Sequence, residues 1–344
     1  MNPKTVKNET ISPEQSNTWR DRFWSLRSAR WGIYFLTFLV LTAIFADFLA
    51  SDLPILAGHK GKTYILPNIV RPNELQQYDN HSFRQAFGED DWALWPLIPY
   101  GPEQTLVAGR LEVNSPPGGP HLLGTDPVGR DVLSRIIHGV RPALAVGLIA
   151  VTVSILLGSL LGGLGGYFSG PMDGVVTWAM AVTLTFPALL LVLTLGSFSI
   201  TTTWWGLGFL LGIIGWAPVA RLARGQTRRI RNASYVVAAR ASGARELRVL
   251  AFHVLPNAAE PIVVMAAFGM GWAILMESAL SFLGAGPGRA SWGDLLASAR
   301  AHPHAWWLTL FAGICLFVTV LACNMVAEGL RHALNPKSRQ PWLG

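Results

Sequence analysis

The sequence predicts an all-α integral membrane protein with about six transmembrane helices and a long extracytoplasmic insert between the first and the second. Of its 344 residues, 51% are hydrophobic and only 14% are charged, whereas soluble proteins carry about 25% charged residues. Several stretches longer than the roughly 20 residues needed to cross a bilayer contain no Asp, Glu, Lys or Arg. Basic residues flank these stretches, so the net charge of +7 indicates orientation in a membrane and no nucleic-acid partner.

The first apolar stretch, residues 31–50, is predicted to be a retained transmembrane helix behind a cytoplasmic N-terminal segment, residues 1–30. A cleaved signal peptide is the alternative. The polar leader is too long for a typical signal peptide, and no A-x-A cleavage site follows, so we expect the helix to stay as an anchor.

The remaining spans are bounded by charges. No charge lies between Arg141 and Asp173 or between Asp173 and Arg221, and a Gly/Ser/Thr-rich break at 196–203 divides the longer run, which predicts spans two, three and four. The stretch from Glu260 to Leu283 predicts span five. Span six is predicted from Pro303 to Ala327.

The second predicted span is rich in glycine, which lets neighbouring helices approach closely. The glycines are Gly158, Gly162, Gly163, Gly165 and Gly166.

Two prolines and one acid stand out inside these predicted spans. Pro187 and Pro218 are equally compatible with hinges and with tolerated kinks. Glu277 lies near the outer end of the fifth span, where water or a loop can satisfy its carboxylate, so we favour a structural role over a functional one.

The insert, residues 51–141, differs sharply from the rest of the chain. It carries ten acidic and eight basic residues and several Gly/Pro clusters. We expect irregular structure that leans on the membrane part, because a periodic apolar pattern is lacking.

Basic residues predict the orientation of the chain in a bacterial plasma (inner) membrane. They concentrate before the first span, between Arg221 and Arg248, and in the tail, residues 331–344. The positive-inside rule therefore predicts that both termini are cytoplasmic and that the insert faces outside.

The sequence offers no catalytic, cofactor or metal site. Cys315 and Cys323 lie in the last span, where eight helical residues separate them by about 12 Å, too far for a disulfide. No Ser/His/Asp set or carboxylate pair converges by sequence, so we expect a protein that is not an enzyme.

The most informative stretch is the elbow, which we define as residues 235–256, within a predicted cytoplasmic loop at 223–260. It predicts two short helices hinged at Gly243, because glycine suits the left-handed stop of the first helix. Asn232 or Ser234 is the expected cap of that helix. The expected face of the first helix is Tyr235, Ala238, Ala239 and Ser242, and that of the second is Leu247, Leu250, Ala251, Val254 and Leu255.

The elbow resembles the EAA loop of permease subunits of ATP-binding-cassette importers. That pattern has E-A-A, a glycine and then L-P; Val237 stands where the family usually has its glutamate. The resemblance implies that this loop couples the spans to an ATPase, with docking by shape and by Arg240, Arg245 and Arg248. The implied coupling residues are Tyr235, Ala238, Ala239, Arg240, Gly243, Ala244, Leu255 and Pro256.

Further motifs resemble the second, C-type permease of oligopeptide and dipeptide importers. They are H-L-L-G-T-D with G-R-D-V-L-S-R at 121–135, S-A-L-S-F-L-G at 278–284 and S-W-G at 291–293. The long insert, with L-P-I-L at 53–56 and W-A-L-W-P at 92–96, resembles the subtype called YejE, which is linked with microcin C and oligopeptide uptake.

This resemblance implies a permease domain at 142–330 and four kinds of partner. They are a second permease in a heterodimer, two cytoplasmic ATPase domains, an extracytoplasmic peptide-binding protein and membrane lipid. The implied function is to form half of the path for peptide uptake, with ATP hydrolysed by separate subunits.

Two alternatives remain open at this point. A proton-coupled secondary transporter would show charged residues near the bilayer midplane and inverted repeats; the spans are nearly free of charge. A membrane-anchored receptor or enzyme would carry its activity in residues 51–141, which show no catalytic set.

Overall fold

The computed structural model describes residues 18–75, 78, 80–88, 90–105, 113–196, 203–288 and 290–334. Residues 1–17 of the predicted N-terminal segment, most of the 196–203 break and residues 335–344 of the tail lie outside this description.

Helices dominate the described residues. In chain order they are α1 (Trp19–Ser25), α2 (Arg27–Ile44), α3 (Ala46–Leu49), α4 (Pro67–Val70), α5 (Asn80–Gln85), α6 (Val132–Phe168), α7 (Gly170–Thr185), α8 (Ala188–Gly196), α9 (Trp204–Ile230), α10 (Ser234–Ala241), α11 (Glu246–Val249), α12 (Leu255–Phe282), α13 (Trp292–Ala301) and α14 (Trp306–Leu334). Three strands, β1 (Leu56–His59), β2 (Lys62–Ile65) and β3 (Trp92–Leu94), lie in the insert.

Four helical segments are long and apolar enough to cross a membrane: α6, α9, the continuous stretch Glu246–Phe282 and α14. The pair α7 and α8 adds a fifth if it crosses as one span. The first predicted span falls on α2, whose first turn contains Arg27 and Arg30. The membrane-spanning, helical character is therefore confirmed, and the count of six stays a prediction.

The third predicted span is sharply bent. The axes of α7 and α8 differ by 86° because Phe186 is extended (φ −84°, ψ 132°) immediately before Pro187, which disfavours helix in its neighbour and cannot donate a backbone hydrogen bond. Pro218 behaves differently, since α9 continues through it.

The insert is more regular than expected. Strands β2, β1 and β3 form an antiparallel sheet in that order, over a small core of Leu53, Ala57, Leu75 and Phe83. The turn between β1 and β2 has left-handed Lys60 (φ 52°) and Gly61 (φ 74°), which suits a tight hairpin. The all-α description therefore holds for the membrane part only.

Helix α6 starts before the predicted end of the insert at residue 141. Helix α6 begins at Val132, where the Asp131 carboxylate accepts from the Ser134 amide at 2.7 Å. This side-chain cap satisfies one of the open amides of the first turn. Residues 132–141 are thus the first turns of α6.

The core of the membrane part is the contact between α6 and α9, the most extensive helix pairing in the described residues. Gly158, Gly162 and Gly166 of α6 lie directly against the α9 backbone. A Cβ atom at Gly162 would stand 2.2 Å from the Ala220 carbonyl oxygen. Small residues let two helices approach this closely, which agrees with the expectation from the glycine-rich sequence of this span.

At the insert end of α6, the motif at 121–135 forms a buried ionic cluster, here named the clasp (Asp126, Arg130, Arg135 and Asp294). The buried Arg135 guanidinium donates to Asp126 at 2.7 Å and to Asp294 of α13. Arg130 also donates to Asp126 at 2.7 Å. Burial alone would lower the pKa of Arg130, but the charge and hydrogen bond of Asp126 raise it above its usual value.

Two tryptophans make further hydrogen bonds beside the clasp. The Trp292 indole donates to the Ile136 carbonyl of α6 at 3.1 Å, and the Trp307 indole donates to the Thr125 carbonyl at 3.1 Å. The motif thus fastens α13 and the start of α14 to the start of α6, and the opposite end of α6 packs against the elbow.

We predict that Gly162→Ala destabilises the protein by about 1–3 kcal/mol, because the new methyl group has to displace the Ala220 backbone. Thermal unfolding in detergent, followed with a thiol-reactive dye, measures the effect. Gly174→Ala is the control, since a Cβ there meets nothing within 4 Å. Equal unfolding temperatures for the two variants would contradict the close approach.

A second prediction concerns the clasp. Arg135→Gln should cost about 2–3 kcal/mol, because it removes the charge-assisted bonds by which buried Arg135 joins Asp126 to Asp294 of α13, although Arg130 still pairs with Asp126. The exposed pair of Arg331 and Glu328 provides the control Arg331→Gln, expected to cost about 1 kcal/mol or less. The same unfolding assay applies; a loss for Arg135→Gln as small as the control's would refute the structural role of the clasp.

Candidate functional site at the elbow

The first helix of the elbow, α10, begins without the expected side-chain cap. Its N-cap residue is Ala233, and Ser234 is already helical, so the prediction that Asn232 or Ser234 caps the helix is wrong. Burial holds the start of the helix instead, because Val236 in the first turn is fully buried.

The end of α10 has the predicted geometry. Gly243 is left-handed at φ 81°. Its amide donates to the Arg240 carbonyl at 2.9 Å, and the Ala244 amide donates to the Ala239 carbonyl at 3.2 Å. This pair of bonds is the Schellman motif, so the chain turns at Gly243 as the sequence predicted.

After this turn the prediction of a separate second helix is wrong. Helix α11 passes through a π-helical turn, Leu250–Val254, directly into α12, so the fifth span continues from the elbow without a break. The wider π turn precedes Pro256, which has no amide hydrogen to donate within the first turn of α12. Leu255 and Pro256 therefore start the long helix.

The elbow rests on an apolar cluster formed with the end of α6. Its buried members are Tyr167, Val236, Val249, Leu250 and Val254. The burial of Leu250 and Val254 confirms part of the expected face of the second helix, whereas the side chain of Leu247 is 65% exposed. Val236 and Val249 were missed by the helical-face analysis, which assumed a different phase for each helix.

Polar contacts join three elements within this cluster. Tyr167 of α6 donates from its hydroxyl to a Glu246 carboxylate oxygen of α11. Arg240 of α10 donates from Nε to the Tyr167 hydroxyl at 3.2 Å, lies 3.3 Å from Glu246 Oε2, and places its guanidinium carbon 4.9 Å from the centre of the Tyr167 ring. The hydrogen bond to Tyr167, with the nearby Glu246 charge, raises the pKa of Arg240.

The predicted coupling residues divide into two groups. Tyr235, Ala238, Gly243 and Pro256 are exposed, and Ala239, Arg240, Ala244 and Leu255 are half-buried against the cluster. Arg240 points inward, so its predicted role in a docking contact is not supported by its position. We define the outer face of the elbow as Tyr235, Val237, Ala238 and Ser242, all of which are exposed.

Charged contacts also fasten the neighbouring helix ends. Arg231, the C-cap residue of α9, donates to the carbonyls of Gly166 and Tyr167 at 3.4 and 3.3 Å. Asp173 near the start of α7 accepts from Arg224 at 2.9 Å and from Arg228. The sequence signal for this ion pair was the isolation of Asp173 between two uncharged stretches.

Between the helices, near the α7–α8 bend, lies an apolar cavity of about 350 Å³ lined by residues that include Phe186, Pro218, Met265 and Trp272. The described residues that line it include no charged side chain. Its hydroxyl groups are satisfied locally; that of Ser154, for example, donates to the Gly212 carbonyl at 3.0 Å.

Glu277 is buried elsewhere in α12. Its carboxylate accepts from the hydroxyls of Ser281 at 2.9 Å and Ser278 at 3.2 Å. Serines of the same helix, and not water or a loop alone, thus satisfy it, in keeping with a structural role.

Comparison with known proteins agrees with this architecture. The model of the family described as "binding-protein-dependent transport system inner membrane component" matches residues 154–340, a range that includes the elbow. The di/tripeptide transport system permease protein DppC of Pseudomonas aeruginosa is 36% identical over 300 residues, which is 79% of this chain and 95% of that protein.

Two further relatives are permease proteins of glutathione and oligopeptide transport systems. The glutathione transport system permease protein GsiD of Pectobacterium atrosepticum is 35% identical over 72% of this chain and 81% of its own length. The oligopeptide transport system permease protein OppC of Mycobacterium bovis is 33% identical over 72% of this chain and 86% of its own length. The chain therefore belongs to the family of inner membrane permease components of binding-protein-dependent transport systems.

Proposed function

We propose that this chain forms half of the transmembrane path of a peptide importer and that a cytoplasmic ATPase subunit docks on the outer face of the elbow. The observation that carries the proposal is helix α10 itself: a short helix, closed by the Gly243 turn, whose outer face exposes small Ala238 and Ser242 beside Tyr235 and Val237. A partner's groove can enclose the small residues, and Tyr235 and Val237 offer it apolar contact area.

Peptide is the proposed cargo because relatives that cover most of this chain are named for di/tripeptide, oligopeptide or glutathione transport. The apolar cavity supports a path that accepts varied side chains, since it offers few fixed polar partners. The microcin C-type cargo of the YejE subtype stays a prediction that rests on the long insert.

A proton-coupled mechanism is not supported. The described lining of the cavity has no ionisable side chain. The Glu277 carboxylate accepts hydrogen bonds from two serines of its own helix. Membership of a binding-protein-dependent family favours energy from ATP hydrolysed on separate ATPase subunits.

The proposed orientation places the elbow in the cytoplasm. Arginines are concentrated at this end of the helices, and the exposed ones include Arg221, Arg229, Arg245 and Arg248. The positive-inside rule then puts the insert outside and both termini in the cytoplasm. In this arrangement the domains are the segment 1–30, the first helix 31–50, the insert 51–141, the permease domain 142–330 and the tail 331–344.

The proposed assembly has four partners for this subunit. A second, similar permease completes the path as a heterodimer, and two ATPase domains bind below. A peptide-binding protein delivers cargo from the insert side. Closure of the ATPases would move the elbow and tilt the helices so that the path opens alternately to each side.

We predict that Ala238→Trp lowers copurification of the ATPase subunits with the permease by at least about tenfold, because a large side chain at the centre of a close-packed contact cannot be enclosed. Peptide uptake by cells should fall with it. Affinity purification of the whole importer, with ATPase quantified per permease, measures the effect.

The matched control is Ala301→Trp, an exposed alanine at the end of α13 near the insert end. It should leave ATPase stoichiometry unchanged. Normal ATPase content and uptake in Ala238→Trp would refute docking at this face.

A further inference from the structure

Three side chains from three elements meet at the base of the elbow: Tyr167 at the end of α6, Arg240 on α10 and Glu246 at the start of α11. The Tyr167 hydroxyl is the centre of the group. It donates to Glu246 and accepts from Arg240 at 3.2 Å. Each of the other two side chains therefore contacts α6 and, at 3.3 Å, its opposite charge.

The group bridges the Gly243 turn. Arg240 precedes the turn and Glu246 follows it, and a Cβ at Gly243 would meet nothing within 4 Å, so side-chain packing does not restrain the turn at that position. The ion pair spans the turn and is bonded to Tyr167 of α6. It therefore fixes the positions of α10 and α11 relative to each other and to α6. The charge-assisted bonds suit this purpose because they are stronger than neutral ones.

Tyr167 is itself firmly placed. Its side chain is buried at 4% exposure, and Arg231 donates to its carbonyl and to that of Gly166. Gly166 lies against Arg224 of α9, where a Cβ would stand 2.5 Å from the Arg224 carbonyl oxygen. The anchor for the elbow thus directly follows the close contact between α6 and α9.

We infer that Tyr167, Arg240 and Glu246 form a latch that makes the elbow and the end of α6 move as one body, so that a push on α10 is delivered to the α6–α9 pair. Tyr167 and Glu246 are then positioning residues for coupling. This inference rests on the proposed function, because it takes the elbow as the point that receives the push.

The latch accounts for contacts that packing alone does not require. The apolar cluster would persist with phenylalanine at 167, since the ring supplies the buried surface. The hydroxyl group makes the hydrogen bonds that link the ion pair to α6, whereas the contact of Arg240 with the ring would remain. The substitution Tyr167→Phe therefore separates the latch from the fold.

The first test measures whether the two parts move together. Spin labels are placed at Leu160→Cys on α6 and Ala241→Cys on α10, both exposed positions, in a complete importer whose Cys315 and Cys323 are alanine. With Tyr167 present, the distance distribution should stay narrow and unchanged between nucleotide-free and ATP-bound states. With Tyr167→Phe it should broaden or shift on ATP binding. A distribution that shifts in the native protein, or that stays narrow in Tyr167→Phe, would overturn the latch.

The second test measures coupling in proteoliposomes that contain both permeases, the ATPases and the binding protein. Tyr167→Phe and Glu246→Gln should each raise the ATP hydrolysed per peptide imported by about fivefold, the lower range of an allosteric coupling. The double variant should add little, because both changes break the same link. Tyr34→Phe, at an exposed tyrosine of α2, is the control and should not alter the ratio.

The outcomes separate the latch from the proposed function. If Tyr167→Phe matches Tyr34→Phe while Ala238→Trp still loses its ATPase, the latch is refuted and the docking proposal stands. If Ala238→Trp retains its ATPase and its uptake, the docking proposal fails. ATPase content and unfolding temperature are measured for every variant, and both should be unchanged in Tyr167→Phe, which excludes misfolding as the cause of an altered ratio.

Discussion

The close approach of α6 and α9 is the constraint on which the rest of the structure depends. Three glycines of α6 meet the backbone of α9, and no side chain larger than hydrogen fits at Gly162 without displacing Ala220. In a membrane, where apolar burial between helices gives little driving force, such backbone contact supplies the attraction. Because α9 leads into α10 and Tyr167 lies in the last turn of α6, the same contact brings the end of α6 and the start of the elbow together.

The ion pairs of α6 and α9 lie near the two ends of this helix pair. At the insert end, the clasp around Arg135 joins α6 to α13. At the elbow end, Asp173, Arg224, Arg231 and the latch join α6, α7, α9 and the elbow. The cavity between the ends has an apolar lining. The helices can therefore rearrange around the cavity without breaking the ion pairs at either end.

Sequence reasoning predicted the features that local chemistry controls. The long apolar helices, the turn at Gly243 and the tight packing of glycines each follow from residues close together in the chain. It failed where distant residues decide. Whether Arg240 faces a partner or folds back depends on Tyr167, far away in the sequence, and α10 starts where Val236 is buried, not where a polar cap is available. The hairpin of the insert was missed although Lys60–Gly61 carried its turn signal.

The most direct measurement of the central claim is photo-crosslinking from the elbow in living cells. A benzophenone amino acid at Ser242, on the outer face, should capture the ATPase subunit, and one at Thr63 in the insert sheet should not. Capture of the ATPase from Ser242 and not from Thr63 would support the elbow as the docking site of a cytoplasmic ATPase subunit. Capture of the extracytoplasmic binding protein from Ser242, or of the ATPase from Thr63, would contradict both the orientation and the mechanism.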